Sequence, residues 1–384
     1  MKGLCHCTAW EVPCQTPVSS LLFAVSPDGF VCYHRAMKKQ FHLLPFVCFL
    51  LCLLAGCVSP SLEPVALPPG SPAPSATLPP VPTPTPDALT AEPGVYTIAW
   101  LSDTQYYCKK WPETFYTMTA FVRDAAARMN LRYYVHTGDL VNNYANEEQW
   151  AVAVRAMASL TRIPGGVLAG NHDVHHSDGD YKNFSAYFGE NQFSFKPCYG
   201  ESYRDNRGHY DLWEAGNTRY LFVYMGFAPD AGCIAWVRSV FDRFPDRVGV
   251  LCLHDYLMTD LSLSEDGQRF YEEVVTPCSN LYLVLCGHRY NVACLPTFFD
   301  DDGDGKPERT VYQMINNYQA AGIEGGSGYM RFLQIDEGRG EMRVYSYSPL
   351  LDDYVYYDEP SHGEERYAAD PAGEYVQLPL PWLS

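Results

Sequence analysis

Basic side chains are scarce in this sequence. Its 384 residues include 27 Lys and Arg against 45 Asp and Glu, a formal net charge of -18. A surface of that sign repels nucleic-acid backbones and anionic lipids, which argues against binding to duplex DNA. An anionic substrate would need a local source of positive charge, and bound metal ions are one such source.

Two common catalytic signatures are also missing. The chain has no Gly-x-Ser-x-Gly nucleophile elbow and no phosphate-cradling P-loop. Of its fourteen cysteines, seven precede residue 58, and the other seven are scattered from Cys108 to Cys294 without metal-type pair spacing. We therefore expect mostly buried thiols, with room for one or two disulfides.

No apolar run is long enough to be a comfortable membrane-spanning helix. A basic start at Met37 leads into an apolar stretch from Leu43 to Leu54, followed by Ala-Gly-Cys ending at Cys57. This order is typical of a secretory signal, and its end resembles a bacterial lipobox. We predict a lipoprotein signal peptide over 37–57, lipidation of Cys57, and an extracytoplasmic protein anchored to the bacterial membrane through lipid alone. A buried core helix is the alternative.

Composition divides the rest of the chain into further segments. Residues 1–36 precede the second methionine, and we interpret them as a gene-start error or a disordered extension. Residues 58–93 contain 12 prolines among Ser, Thr and Ala, which is typical of a disordered linker. Residues 94–350 are predicted to form the folded domain, and 351–384 a C-terminal tail packed on it.

From residue 94 onward, short β-type runs alternate with helical stretches. Predicted strands lie at 95–101, 133–136, 166–169, 220–225, 248–253, 281–286, 310–315, 329–335 and 341–347. Apolar residues at i, i+3, i+4 spacing predict a helix over 115–129, and 146–160 and 230–244 have similar patterns. This alternation predicts an α/β or α+β domain with helices covering sheets.

Side chains with ligand chemistry follow five of these strands. They are Asp103 and Gln105, Asp139, Asn171 with His172 and Asp173, His254, and His288. Because the strand ends of open α/β sheets deliver their loops to one rim, we expect these residues to converge. Each piece alone is ordinary turn chemistry. Together, carboxylate, amide and imidazole groups in this order predict a metal site.

These blocks resemble the signature of a known family. Asp103-x-Gln105, Gly138-Asp139, Gly170-Asn171-His172-Asp173, His254 and Gly287-His288 resemble the five blocks of calcineurin-like metallophosphoesterases, across residues 95–350. The resemblance implies a four-layer αββα sandwich, two β-sheets flanked by helices, with a dinuclear metal centre at one edge. It also implies that Asp139 bridges two metals and that Asn171, His254 and His288 complete one metal's shell.

The second metal's ligands depart from the family pattern. Gln105 stands where the family usually has His, and Tyr290 stands at the second His of the last block. That metal would be held by Asp103, Asp139, the amide of Gln105 and the candidate ligand Tyr290. It is therefore expected to be weak, ferric or absent, since Tyr must lose a proton to bind. The whole set suits Mn, Fe or Zn better than Mg.

The resemblance also implies a reaction. Two metals roughly 3.5–4 Å apart can activate a hydroxide for in-line attack on a phosphate monoester or diester. His172 would be the general acid, with Asp173 orienting its imidazole. The expected partner is a small-molecule or polymer phosphate ester. The first alternative is a non-catalytic surface binding or scaffolding lipoprotein, which Tyr290 favours. The second is an amidohydrolase-type metal hydrolase, which the Gly-Asn-His-Asp block opposes.

Three residues outside these blocks are candidate contacts to substrate phosphate. His175, Arg207 and His209 carry suitable groups, although a plain loop role is the simpler interpretation.

An acidic run has the spacing of a calcium loop. Asp300, Asp302 and Asp304 match the Asp-x-Asp-x-Asp-Gly pattern, but Val311 stands where an EF-hand has its bidentate Glu. The pattern fits both a solvated acidic turn and a structural calcium site. The sequence does not determine the oligomeric state.

Overall fold

The structure is a computed structural model that describes residues 86–175, 179–319, 326–356 and 373–383. Residues 1–57, with the predicted signal peptide and Cys57, lie outside this part of the chain, as does most of the predicted linker. Among the described residues, no helix is both long and apolar enough to cross a membrane.

Thirteen strands and six α-helices make up the described part of the chain. The strands are β1 (Val95–Leu101), β2 (Leu131–His136), β3 (Gly165–Val167), β4 (Tyr199–Tyr203), β5 (Gly208–Ala215), β6 (Thr218–Met225), β7 (Val248–Leu253), β8 (Leu281–Cys286), β9 (Val292–Phe299), β10 (Arg309–Asn316), β11 (Met330–Asp336), β12 (Glu341–Tyr347) and β13 (Tyr375–Pro379). The helices are α1 (Gln105–Lys110), α2 (Pro112–Ala125), α3 (Glu147–Ala158), α4 (Lys182–Phe188), α5 (Ala231–Arg243) and α6 (Glu265–Phe270), which continues as a π-helix over Tyr271–Val275.

The strands form two mixed sheets. The first has the order β13-β12-β11-β1-β2-β3, and the second has the order β4-β5-β6-β7-β8-β10-β9. In the first sheet, β1, β2 and β3 are parallel neighbours. In the second, β6, β7, β8 and β10 run parallel. Antiparallel strands complete both sheets, so the parallel centres direct several loops to one edge.

The two sheets pack face to face, and helices cover their outer faces. Ile98 and Trp100 of β1 pack in one cluster with Phe222 and Leu283 of the second sheet. Leu101 of β1 instead faces the cluster that contains helices α2 and α3. Another cluster joins α5 to the outer face of the second sheet. The predicted four-layer αββα sandwich is therefore confirmed.

Burial on both faces explains why β1 is almost continuously apolar. All seven of its residues are buried, as expected for a central strand between two covered faces. Helices start at capping side chains: Asn146 accepts a hydrogen bond from Gln149 N before α3, and Asp230 accepts one from Cys233 N before α5. Side-chain oxygens at these positions satisfy amides that the first helical turn leaves unpaired.

One predicted segment boundary differs from the structure. Residues 86–93 were expected to belong to the linker, but a 3-10 turn over Pro86–Leu89 packs on the domain. Tyr345 Oη and Gln334 Nε2 donate hydrogen bonds to Ala88 O at 2.8 and 2.7 Å, which fixes this turn. The described part of the C-terminal tail adds β13 to the edge of the first sheet.

The seven cysteines from Cys108 to Cys294 form no disulfide, and six of their thiols are buried.

Candidate metal centre

Loops at the carboxyl ends of parallel strands carry the predicted ligands. Asp103 and Gln105 follow β1, Asp139 follows β2, Asn171 follows β3, His254 follows β7 and His288 follows β8. Backbone hydrogen bonds join the loops in pairs. Asp103 N donates to Gly138 O, and Gly287 N donates to His254 O, each at 3.0 Å. The structure thus brings loops from both sheets to one edge of the sandwich.

Asp139, Asn171, His254 and His288 lie together. His254 Nε2 is 3.0 Å from Asn171 Oδ1 and 3.4 Å from Asp139 Oδ1. Ligand atoms of Asp139, His254 and His288 all lie within 4.8 Å of one another. His254 Nδ1 lies 2.8 Å from Thr137 O, and since a carbonyl only accepts, Nδ1 carries the proton and Nε2 faces the other ligands.

The candidate ligands of the second metal, Asp103 and Gln105, make different hydrogen bonds. Both side chains are buried, and Ser102 Oγ donates to Asp103 Oδ2 at 2.6 Å. Gln105 Nε2 donates to Asp139 Oδ2 at 2.9 Å, while Gln105 Oε1 is buried without a hydrogen-bond partner among the described residues. An unpaired buried acceptor is costly, and a cation beside this oxygen would satisfy it.

Tight backbone turns direct these side chains. Asp103, Asp139 and His288 have φ values of 52°, 57° and 68°, in the left-handed region that non-glycine residues rarely occupy. Such a conformation costs on the order of 1–3 kcal/mol per residue and clusters at functional sites. A Cβ on Gly170 would lie 2.1 Å from Asp139 Oδ1, so only glycine allows the third loop to approach this carboxylate.

The electrostatics of the site favour a cation. Burial raises the pKa of Asp103 to about 7, and the nearby Asp139 contributes. Burial opposes a charged imidazole at His254, yet Asp139 and Asp103 raise its pKa to about 10. Burial lowers the pKa of His288 to about 3. Two buried carboxylates therefore attract positive charge, and the amide oxygens and imidazoles around them fit a divalent metal ion.

Asp173 was predicted to orient the His172 imidazole, and the structure shows other hydrogen bonds for both side chains. Asp173 is fully buried, and its carboxylate accepts hydrogen bonds from the backbone N–H groups of Leu140, Val141 and Gly170, at 2.8 to 3.1 Å. His172 Nδ1 instead lies 2.9 Å from Asn142 O. Backbone amides of two loops need an acceptor, and Asp173 provides it and so holds these loops together. The backbone carbonyl of Asn142 orients His172.

The three candidate phosphate contacts are separated by the fold. His209 is fully buried between the sheets and stacks on Tyr224 at a ring distance of 4.3 Å, so its predicted role in substrate binding is wrong. Arg207 donates to Ala228 O and lies over the Tyr181 ring, which stabilises a loop rather than presenting a free cation. His175 packs its ring against Tyr144, at 5.0 Å.

The acidic run forms an exposed turn. Carboxylates of Asp300, Asp302, Asp304 and Glu308 lie within 4.8 Å of one another. Asp300 accepts hydrogen bonds from the amides of Gly303, Asp304 and Gly305. Val311, at the twelfth position, is buried in β10. The turn therefore satisfies its own backbone, and it remains a candidate for weak calcium binding only.

Sequence reasoning did not assign several residues that shape the centre. Phe227 lies 6.2 and 6.3 Å from the rings of His254 and His288. Asp255 Oδ2 lies 3.8 Å from His288 Nε2. Asp255 directly follows His254 in the chain, which was the one available signal for it. Tyr290, which the sequence did give as a candidate ligand, is half-buried two residues beyond His288, on the loop between β8 and β9.

The chain is similar to proteins of several organisms. The protein YvnB of Bacillus subtilis (strain 168) is 42% identical over 281 residues, which is 73% of this chain and 22% of that protein. The chain therefore spans about a fifth of that relative's length. A purple acid phosphatase from yellow lupin (Lupinus luteus) seeds has 11% identity and a TM-score of 0.46, covering 71% of this chain and 54% of that one. A 5'-nucleotidase precursor from Thermus thermophilus has 12% identity and a TM-score of 0.37, covering 68% and 53%.

The family assignment depends on the sequence match alone. The model of the calcineurin-like phosphoesterase family matches residues 96–291, about half of the chain and all the loops of the metal centre. The chain therefore belongs to the calcineurin-like phosphoesterase family.

Proposed function

We propose that this protein hydrolyses phosphate monoesters or diesters outside the cytoplasm, with His172 as the general acid. Metal-dependent hydrolysis of phosphoesters is the general activity of its family. The observation that carries the proposal is the convergence of Asp139, His254 and His288, whose ligand atoms lie within 4.8 Å of one another, with Asn171 beside them.

Divalent ions held by these residues would supply Lewis acidity, which activates water and neutralises phosphoryl oxygens. Asp139, Asn171, His254 and His288 would hold one ion. Asp103, Asp139 and the unpaired Oε1 of Gln105 would hold a second, weaker one, with Tyr290 as a candidate ligand. Imidazole among these ligands favours Mn, Fe or Zn over Mg.

The position of His172 supports its role as general acid. Its backbone N–H donates to Asp139 Oδ1 at 2.9 Å, which fixes it beside the metal ligands. Because the carbonyl of Asn142 can only accept, Nδ1 keeps its proton. Nε2 is then the nitrogen that would protonate the leaving oxygen.

The location and substrate are proposed from the sequence. The lipobox-like end at Cys57 and the proline-rich segment before residue 86 support an anchored protein that acts at the bacterial cell surface. Small phosphate esters or phosphate-containing polymers are the proposed substrates.

One observation favours a second function, a non-catalytic surface-binding lipoprotein. Gln105 Nε2 already donates to Asp139 Oδ2, so the amide shares this carboxylate with any metal. Tyr290 replaces another imidazole. A centre with one metal could retain binding and lose turnover.

Hydrolysis assays with added Mn, Zn, Fe, Mg and Ca distinguish these functions. We expect metal-dependent turnover of aryl phosphomonoesters or diesters that Asn171→Ala reduces by at least about 100-fold. Asn217→Ala is the matched control, because this exposed residue lies in the turn between β5 and β6. Absence of turnover with every metal, from folded protein, would favour the binding lipoprotein.

A further inference from the structure

Arg289 is a cation at the edge of the metal centre that makes little use of its donors. Its side chain is 37% exposed, and Nη2 lies 3.6 Å from Asp255 Oδ2. Its Nε is buried without a hydrogen-bond partner in the described part of the chain. A guanidinium has five N–H donors in a planar fork that matches phosphate oxygens. Since Nε is buried, the exposed part of this guanidinium is the part that could meet a ligand.

Asp255 positions this guanidinium beside a candidate metal ligand. The same Oδ2 atom lies 3.8 Å from His288 Nε2, so imidazole and guanidinium are adjacent across one carboxylate oxygen. Asp255 is only 14% exposed, which limits the freedom of the pair.

We propose that Arg289 binds a terminal phosphoryl oxygen of the substrate and makes the enzyme prefer phosphomonoesters to phosphodiesters. The inference rests on the proposed phosphoesterase function. A monoester dianion presents three terminal oxygens and two charges, whereas a diester presents two oxygens and one charge. A fixed cation therefore gains more from the monoester.

The weak half of the centre makes such a cation useful. Gln105 and Tyr290 stand where the family usually places imidazoles, so the metal charge near Asp103 is expected to be reduced. Arg289 keeps its charge whether or not a second metal binds, because a guanidinium stays protonated in proteins. It would add positive charge beside His288 that does not depend on the second metal.

The test compares Arg289→Gln and Arg289→Lys with wild type. Three quantities are measured: kcat/KM for an aryl phosphomonoester, kcat/KM for the matching diester, and the Kd of inorganic phosphate by calorimetry on Mn-loaded protein. For Arg289→Gln we expect monoester kcat/KM and phosphate affinity to fall about 10- to 100-fold, and diester kcat/KM to change less than about 3-fold. Arg289→Lys should recover part of the loss, since it restores charge without the fork.

Arg219→Gln is the matched control, because Arg219 forms an exposed ion pair with Asp246 at 2.8 Å. The Kd of Mn is measured for each variant and should not change. Equal losses on both esters, or unchanged phosphate affinity, would overturn the proposal. If wild type hydrolyses neither ester, the proposed function fails, and the phosphate Kd of the variants still decides whether Arg289 binds phosphate.

Discussion

Gly170 offers a direct test of the metal centre, because a single added methyl group would push against Asp139. A Cβ at position 170 would lie 2.1 Å from Asp139 Oδ1 and 2.4 Å from Asp139 N. Ordinary contact begins at 3.4 Å, so the carboxylate and its loop must move by roughly 1 Å in Gly170→Ala. A displacement of that size is worth about 100-fold in rate.

The expected result is therefore a loss of activity of about 100-fold and a loss of metal affinity of about 10- to 100-fold. Overpacking should also cost about 1–3 kcal/mol of unfolding free energy. Calorimetric titration with Mn, an ester hydrolysis assay and thermal unfolding measure the three effects. Gly338→Ala is the control, since its Cβ would meet only Asp336 Oδ1, at 3.3 Å, and its φ is ordinary.

Unchanged Mn affinity and rate in folded Gly170→Ala would refute the assignment of Asp139 as a central ligand. Asp139→Asn gives an independent answer if the glycine variant does not fold, because it removes the charge without adding volume. We expect the same loss of Mn affinity from it. Retained Mn affinity in Asp139→Asn would also show that Asp139 is not a central ligand.

Three further predictions concern individual side chains. Tyr290→His should raise activity and Mn stoichiometry by restoring an imidazole ligand; an unchanged rate would show that Tyr290 does not limit the enzyme. Asp173→Asn should lower the unfolding free energy by about 3 kcal/mol, because an amide replaces the acceptor of three backbone N–H groups, and a Tm equal to wild type would contradict this role. Burial, with a contribution from Lys196, lowers the pKa of His209 to about 3, so the unfolded chain binds more protons and stability falls as pH drops below about 6.5. His209→Phe should remove about 2 kcal/mol of that loss at pH 5 without reducing activity. Denaturation of both proteins at pH 7 and pH 5 measures the change, and an equal pH dependence of the unfolding free energy in both would exclude this role of His209.

Local sequence patterns predicted much of the fold, because helices and strands depend mainly on residues that are close together in the chain. The i, i+3, i+4 spacing of Phe115, Met118 and Val122 predicted α2, and the continuous apolar run of β1 matches burial on both faces. The hairpin of β4 and β5 was not predicted, since β4 has no fully buried residue and shows little alternation. Strand β13 was also missed, because its pairing with β12 lies far along the chain.

The ligand-bearing blocks could be found from the sequence because each follows an apolar strand, and strand ends determine where such loops go. Their residue types alone defined the candidate donors, Asp103, Asp139 and His254 among them. Contacts between loops could not be read in this way. His172 and Asp173 are adjacent in sequence, yet one side chain turns to Asn142 O and the other to the amides of two loops.

Burial and charge pairing were decided only by the tertiary structure. His209 has the chemistry of a phosphate contact, but β5 turns it between the two sheets, where packing excludes water and substrate. Arg289 has the same chemistry, and Asp255 from another strand end holds it beside His288. The sequence by itself determined the strands, helices and candidate donors, because these depend on neighbouring residues. Which carboxylate pairs with Arg289 depends on atoms brought together from different strand ends, so only the folded chain decided it.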